Sequence, residues 1–310
     1  MGKFKIIFII ANWNRKALLS RCLDSISAYI SVSHKIITVD NASSDGSQDM
    51  VREKYPYVFL IENSENLGYS RANNLALKKI REEKIDSDYV IFLNNDVLFK
   101  DNSLERLIDY LNIKPEYVAA IPTVFQSNID FQTGIGGYEL SLSSAFAYFF
   151  FLSILFPRIF KGFYFHQKYF RKKKLIAELD WISGVCFVVR NQVFENISGF
   201  PESFFMYAED VAFSKSVKAL GKIVYFPRAQ VYHIKEDSIF QSRQGMWLDS
   251  IFQYYKSIIG AKGRRGKLIL LKIVFLLGLW LRLMLQGRFK ENKKLCFYCI
   301  YIVKSLFKEY

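Results

Sequence analysis

The sequence predicts an α/β fold built on a mainly parallel central sheet flanked by helices, and three features predict it. Short β-rich apolar runs alternate with helical patterns through the first 112 residues. Those runs are apolar nearly throughout, as strands covered on both faces are. Polar clusters recur where the runs end, which is where ligands bind in sheets of this kind.

The first strand is expected over residues 4–11, followed by a helix over 16–30 with Leu19, Leu23 and Ile26 on one face. A second strand is expected over 35–39, then a polar turn over 41–45 and a helix over 46–55. A third strand falls over 57–61, a helix over 69–83, a fourth strand over 89–93 and a helix over 101–112. The second half is less regular, with a strand over 181–190, a helix over 207–220 and a strand over 222–226.

The formal charge of +14 is unevenly placed. Residues 256–310 hold 13 Lys/Arg against Glu291 and Glu309, a net of +11, and 158–174 hold seven Lys/Arg and no acid. Both stretches adjoin apolar runs, at 268–285 and 140–156, a pattern that suits an anionic membrane surface. No zinc-finger spacing and no RNA-binding aromatics accompany the charge, so no nucleic-acid partner is expected. The run 268–285 has the minimum length for a span but carries Lys272 and Arg282. A mid-bilayer cation costs about 2.5–3.5 kcal/mol, so peripheral or monotopic attachment is expected ahead of spanning. The competing role for this run is a helix packed on the main domain. Cys22, Cys186, Cys296 and Cys299 form no disulfide framework, which favours a reducing compartment. Cys296 and Cys299 read as two ordinary thiols. The apolar run Ile6–Ile10 is too short for a signal-peptide core, so a cytoplasmic chain is expected.

Four polar clusters, at 12–15, 40–45, 63–70 and 94–96, fall at strand ends and point to one crevice. Asp96 leaves the strand 89–93 where a carboxylate reaches a metal; the alternative is a turn leading to the helix at Asp101. Asp40 is suited to accept from a nucleobase imide, or else to serve a turn in which Asp45 caps the next helix. The run from Asn66 through Gly68 to Arg71 opens a helix whose amides and guanidinium suit phosphate or ribose. Glu209 and Asp210 begin a helix after an aromatic stretch, either serving its dipole or supplying a general base. His233 is one of three histidines, structural or a ligand.

In order along the chain, Asn12-Trp13-Asn14, Val39-Asp40-Asn41-Ala42-Ser43-Ser44-Asp45-Gly46-Ser47, Asn66-Leu67-Gly68-Tyr69, Leu93-Asn94-Asn95-Asp96-Val97, Trp181-Ile182-Ser183-Gly184, Gly199-Phe200-Pro201-Glu202, Glu209-Asp210-Val211 and His233 carry a resemblance. The chain from Lys5 to Ser238 resembles the inverting family 2 glycosyltransferases of GT-A fold, particularly their rhamnosyltransferase-like branch. The resemblance implies a GT-A domain over 1–240, with a nucleotide-sugar half over 1–112 and an acceptor half over 113–240. A basic, apolar helical extension over 241–310 would associate with the membrane.

The same resemblance implies roles. Asp210 is the catalytic base, with Glu209 beside it binding acceptor or donor. Asn12, Asn14, Asp40, Asn41, Asn66, Gly68, Arg71, Asn94 and Asn95 bind the donor, Asp40 at its base. Asp96 and His233 hold Mg²⁺ or Mn²⁺, with Asn94 in the first place of a DxD-like motif. Trp181 and Gly184 border the acceptor pocket. Glu236 stands where the family often has glycine. The implied reaction is one displacement with inversion, using a nucleotide-diphosphate sugar and a glycan or lipid-linked glycan acceptor at the inner face of the cell membrane. dTDP-rhamnose is the first donor expected, and a UDP-hexose or galactofuranose donor the alternative. A non-catalytic nucleotide-sugar-binding scaffold is a further alternative. A nucleotidyltransferase would need a glycine-rich triphosphate loop, which 12–15 does not offer. Gln244–Trp247 lacks the arginine of the processive QxxRW motif, so polymerisation is not expected.

Overall fold

The computed structural model describes residues 3–234, 240–260, 263–286 and 293–306. These form two compact units, one from 3–135 with 167–234 and one from 136–166 with the described residues from 240 onward. The elements run β1 (Phe4–Asn12), α1 (Lys16–Tyr29), β2 (His34–Asp40), α2 (Ser47–Lys54), β3 (Phe59–Glu62), α3 (Gly68–Glu82), β4 (Ser87–Leu93), β5 (Val97–Leu98), α4 (Ser103–Ile113) and β6 (Tyr117–Phe125). They continue with β7 (Gly136–Gly137), α5 (Leu142–Phe149), α6 (Leu152–Leu155), α7 (Gln167–Lys172), β8 (Ala177–Leu179), β9 (Trp181–Ile182), β10 (Cys186–Arg190), α8 (Glu209–Lys218), β11 (Lys222–His233), α9 (Phe240–Ile258), α10 (Arg264–Gln286) and α11 (Lys293–Leu306).

The main sheet of the first unit has the order β3-β2-β1-β4-β10-β6-β11-β5, with β8 also against β11. Strands β3, β2, β1 and β4 are parallel, as the sequence predicts. Ile6–Ile10 in β1 are fully buried, each contributing about 1.5–3 kcal/mol of hydrophobic stabilisation. α1 covers the sheet with Leu19, Leu23 and Ile26, the face its periodicity marks. Beyond β4 the sheet is mixed. β10 runs antiparallel to β4 and β6 because it enters at the carboxyl end of β4, with Cys186 opposite Leu93. β6 and β11 are parallel to each other.

Three expectations change. The strand expected over 181–190 is two short strands with a turn at 183–185. The strand expected over 222–226 continues to His233 through an irregularity between Phe226 and Gln230. The domain line drawn at residue 240 gives way to an interlaced division, because 136–166 pack with the C-terminal helices. There Phe149 of α5 lies directly over Gly278 of α10, where any side chain would collide with it, and its ring sits 4.3 Å from that of Phe275.

Candidate active site

The parallel half of the sheet sets two strand ends side by side, Asn12 opposite Asp40. Asn12 Nδ2 donates to Asp40 Oδ2 at 2.9 Å, and its Oδ1 accepts from Asn95 Nδ2 at 2.7 Å. Asp40, 1 % exposed, also accepts from Ser43 N at 2.8 Å, Ser43 Oγ at 2.7 Å and Gln48 Nε2 at 2.8 Å. Four donors fill a carboxylate's acceptor sites. Asp40 therefore organises the loop that follows β2, and a nucleobase meets it only by displacing one of these donors. Asn41 links onward, accepting from Asn63 Nδ2 at 2.8 Å and donating to the Gly68 carbonyl at 3.3 Å. Asn14 accepts from Ser44 N at 2.7 Å. Asp45 accepts from Lys16 N and Ser47 N, and so serves the heads of two helices.

The head of α3 departs from expectation. Gly68 N donates to Asn66 Oδ1 at 3.0 Å and Tyr69 N to the Phe205 carbonyl at 3.1 Å, so these amides are occupied by the chain itself. Arg71 is exposed and pairs with Glu202 at 3.6 Å. Gly68 holds φ +76°, with the Phe205 carbonyl where a Cβ would stand.

Beyond β4, Asp96 Oδ1 faces His233 Nε2 at 2.8 Å. His233 Nδ1 donates to Gln132 Oε1 at 2.6 Å, which leaves Nε2 as the ring nitrogen turned toward Asp96. Asn94 Nδ2 lies 3.4 Å from the same Nε2. Asp96 Oδ1 is buried and has no hydrogen-bond partner among the described residues. A carboxylate oxygen and an imidazole nitrogen held together can ligate a divalent cation. Among the described residues no group of three or more His, Cys, Asp or Glu comes together. Asp96 and His233 would supply two protein ligands to a divalent metal, leaving room for oxygen ligands from outside the chain.

The acid pair opens α8. Asp210 Oδ2 accepts from Gly184 N at 3.2 Å and Oδ1 from Val211 N at 2.8 Å. Burial pushes Asp210 up to about 6. Burial, then the adjacent Asp210 charge, pushes Glu209 well above the carboxylate range, and its Oε2 has no hydrogen-bond partner. Both acids are thus pushed toward their protonated forms. Tyr207 and Ala208, just before the pair, both hold left-handed backbone, φ 70° and 65°. Such conformations cost about 1–3 kcal/mol each and gather at reactive sites.

The turn at 183–185 brings the parts together. The Val185 carbonyl accepts from Asn94 N at 3.1 Å, Gly184 N holds Asp210, and Tyr69 Oη donates to the Gly184 carbonyl at 3.0 Å. A side chain at position 184 would collide with the Tyr69 hydroxyl. Asp96 and His233, through Asn94, and Asp210 thus hang on one turn. Trp181 is 3 % exposed, so its ring offers almost no surface to an acceptor. Glu236 lies outside the described residues.

Gln132 and Gln48 support the site and carry no signal in sequence spacing, while Ser43 and Tyr69 stand within the quoted motifs without a role assigned to them there. Trp13, 42 % exposed at the end of β1, is another addition; a large ring left in water at a strand's carboxyl end is a stacking surface that composition alone suggests.

The family model "Glycosyl transferase family 2" matches residues 7–197. The N-acetylglucosaminyl-diphospho-decaprenol L-rhamnosyltransferase of Mycobacterium tuberculosis is 29% identical over 234 residues, 71% of this chain and 73% of its own. Rhamnosyltransferase WbbL of Escherichia coli is 26% identical over 195 residues, 60% of this chain and 69% of its own. Among solved structures, mannosyltransferase PcManGT from Pyrobaculum calidifontis, in complex with GDP-Man and Mn²⁺, has a TM-score of 0.60 at 15% identity. That likeness covers 99% of this chain and 88% of the other.

Proposed function

Since this chain belongs to glycosyl transferase family 2 and is a glycosyltransferase, we propose that it is an inverting, non-processive rhamnosyltransferase using dTDP-rhamnose and a divalent metal. Its acceptor is a glycan or lipid-linked glycan for cell-surface polysaccharide, met at the cytoplasmic face of the membrane. The names of the M. tuberculosis and E. coli relatives support the sugar, and the first also supports a diphospholipid-linked acceptor.

What carries the reading is the shared turn at 183–185, from which the general base and the metal pair both hang. Asp210, held by the amides of Gly184 and Val211, takes the proton of the acceptor hydroxyl. That oxygen then attacks the anomeric carbon opposite the departing nucleoside diphosphate, inverting its configuration. Glu209, which burial pushes toward its protonated form, binds acceptor or donor beside it. Asp96 and His233 would hold Mg²⁺ or Mn²⁺, which would supply charge to offset that of the leaving diphosphate. Gln132 fixes the His233 ring so that Nε2 is presented. Asn12, Asn41 and Asn95 stiffen the donor side, and Trp13 stacks on the base.

Melting temperature across a nucleotide-sugar panel, with and without Mn²⁺, tests the donor. dTDP-rhamnose is expected to give the largest rise, dependent on the metal and lost in Asp96→Asn. A larger rise with a UDP-hexose or with UDP-galactofuranose reassigns the donor. Product NMR showing retained anomeric configuration overturns the role given to Asp210.

A further inference from the structure

We infer that the second unit carries a lipid-contacting face and that α10 lies in the plane of an anionic bilayer without crossing it. This deepens the membrane placement in the reading above, and vesicle binding tests it independently of transfer.

α10 is inside-out for a helix facing water. Its inner face buries Leu268, Leu271, Phe275, Leu279 and Leu283, and the two cations of this stretch lie on that same face. Lys272, 2 % exposed, donates through Nζ at 2.6 Å to the Ser305 carbonyl in the last turn of α11, with Nζ 5.4 Å from the centre of the Phe252 ring. Arg282 donates through Nη2 at 2.7 Å to the Tyr148 carbonyl in the last turn of α5, with its guanidinium 4.6 Å from the Tyr148 ring and 4.4 Å from that of Phe151. Each meets a carbonyl in the last turn of a helix, where positive charge is favoured. The charges that argue against a span are therefore fixtures of the helix cluster.

The outer face of α10 exposes Leu270, Ile273, Leu277, Trp280 and Met284, at spacings of three and four residues that make one continuous stripe. α11 exposes Phe297, Ile300 and Val303, and Leu155, Phe156 and Ile159 are exposed beyond α5. The α10 stripe is contiguous apolar surface, and such surface marks a contact face. Exposed cations accompany it: Arg158 and Lys161 beside Ile159, Arg265 and Lys267 at the head of α10, and Lys304 in α11. The acids among this unit's described residues are Glu139 and Asp249. A second copy would bring like charges together, whereas an anionic bilayer offers both the hydrocarbon and the opposite charge.

The packing also sets orientation. α5 has eight residues, about 12 Å, and meets α10 midway along, at Phe275 and Gly278. If α10 crossed the bilayer, the ends of α5 would lie at mid-depth, where exposed backbone is not tolerated. A helix with one apolar outer face and its partners behind it lies in the interface.

The full-length protein is sedimented with phosphatidylglycerol–phosphatidylcholine vesicles and with phosphatidylcholine alone. Binding is expected to favour the anionic vesicles. Leu277→Glu and Trp280→Glu are expected to lower it at least tenfold with unchanged melting temperature, since both positions face outward. Lys272→Met is expected to melt lower and to bind vesicles no better. Glutamate variants that bind like the parent overturn the face. So does a parent dimer that these variants dissociate while vesicle binding persists. Tighter membrane retention of Lys272→Met would place that cation in lipid and overturn the in-plane orientation.

Discussion

The two sides of the crevice are prepared in opposite ways. At the ends of β1 and β2, Asp40 meets four donors, Asn12 is bonded at both ends of its amide, and Asn41 is bonded at both ends of its own. At the head of α8, Glu209 Oε2 is buried without a partner, both acids are pushed up, and two residues before them hold left-handed backbone. A closed polar network is rigid and costly to alter. On the proposed reading the binding side is satisfied in advance, while the reacting side keeps one demand unmet, at Glu209 Oε2.

The comparison is open to breaking at four points. Asp210→Asn is expected to lower transfer roughly 10²–10⁴-fold with nucleotide affinity retained by calorimetry. An equal loss of nucleotide affinity would make the acid side part of the binding side. Asp40→Ala strands the donors of Asn12, Ser43 and Gln48, an expected loss of about 3–5 kcal/mol in urea unfolding at roughly 1–3 kcal/mol per stranded group. A loss under about 1 kcal/mol would mean the network is not closed.

The third point is pH. Asp210 must be ionised to act, so kcat/KM is expected to fall as pH drops below about 6, approaching tenfold per unit. Stability runs the other way. A raised acid holds its proton longer folded than unfolded, so its contribution is full below the ordinary carboxylate pKa and is lost as pH rises through about 6. A rate flat down to pH 5 would remove Asp210 as base. The smallest effect is expected from Ala208→Gly, which relieves a left-handed alanine and stabilises by about 1 kcal/mol or less. No rise in melting temperature would mean that the turn before the acids stores no strain.

The parallel half of the fold was legible because burial on both faces writes an unbroken apolar run, as in Ile6–Ile10. β6 was not, although its nine residues are almost wholly buried, because its interior Pro122 reads against a central strand. The acids of the site were legible as types at strand and helix ends. Their support was not. Gln132 reaches His233 across 101 residues, and Gly184 meets Asp210 through a backbone amide that any residue type possesses. Tertiary satisfaction also reversed expectation at α3, where Asn66 and Phe205 take the amides that looked ready for phosphate.

The interlaced second unit has a consequence for the nascent chain. α5 leaves the ribosome more than 110 residues before α10, whose Gly278 and Phe275 receive Phe149. At roughly 5–20 residues per second, those aromatic side chains wait on the order of 6–24 seconds for their partner. During synthesis, then, the apolar face of α5 is complete well before the helix that covers it.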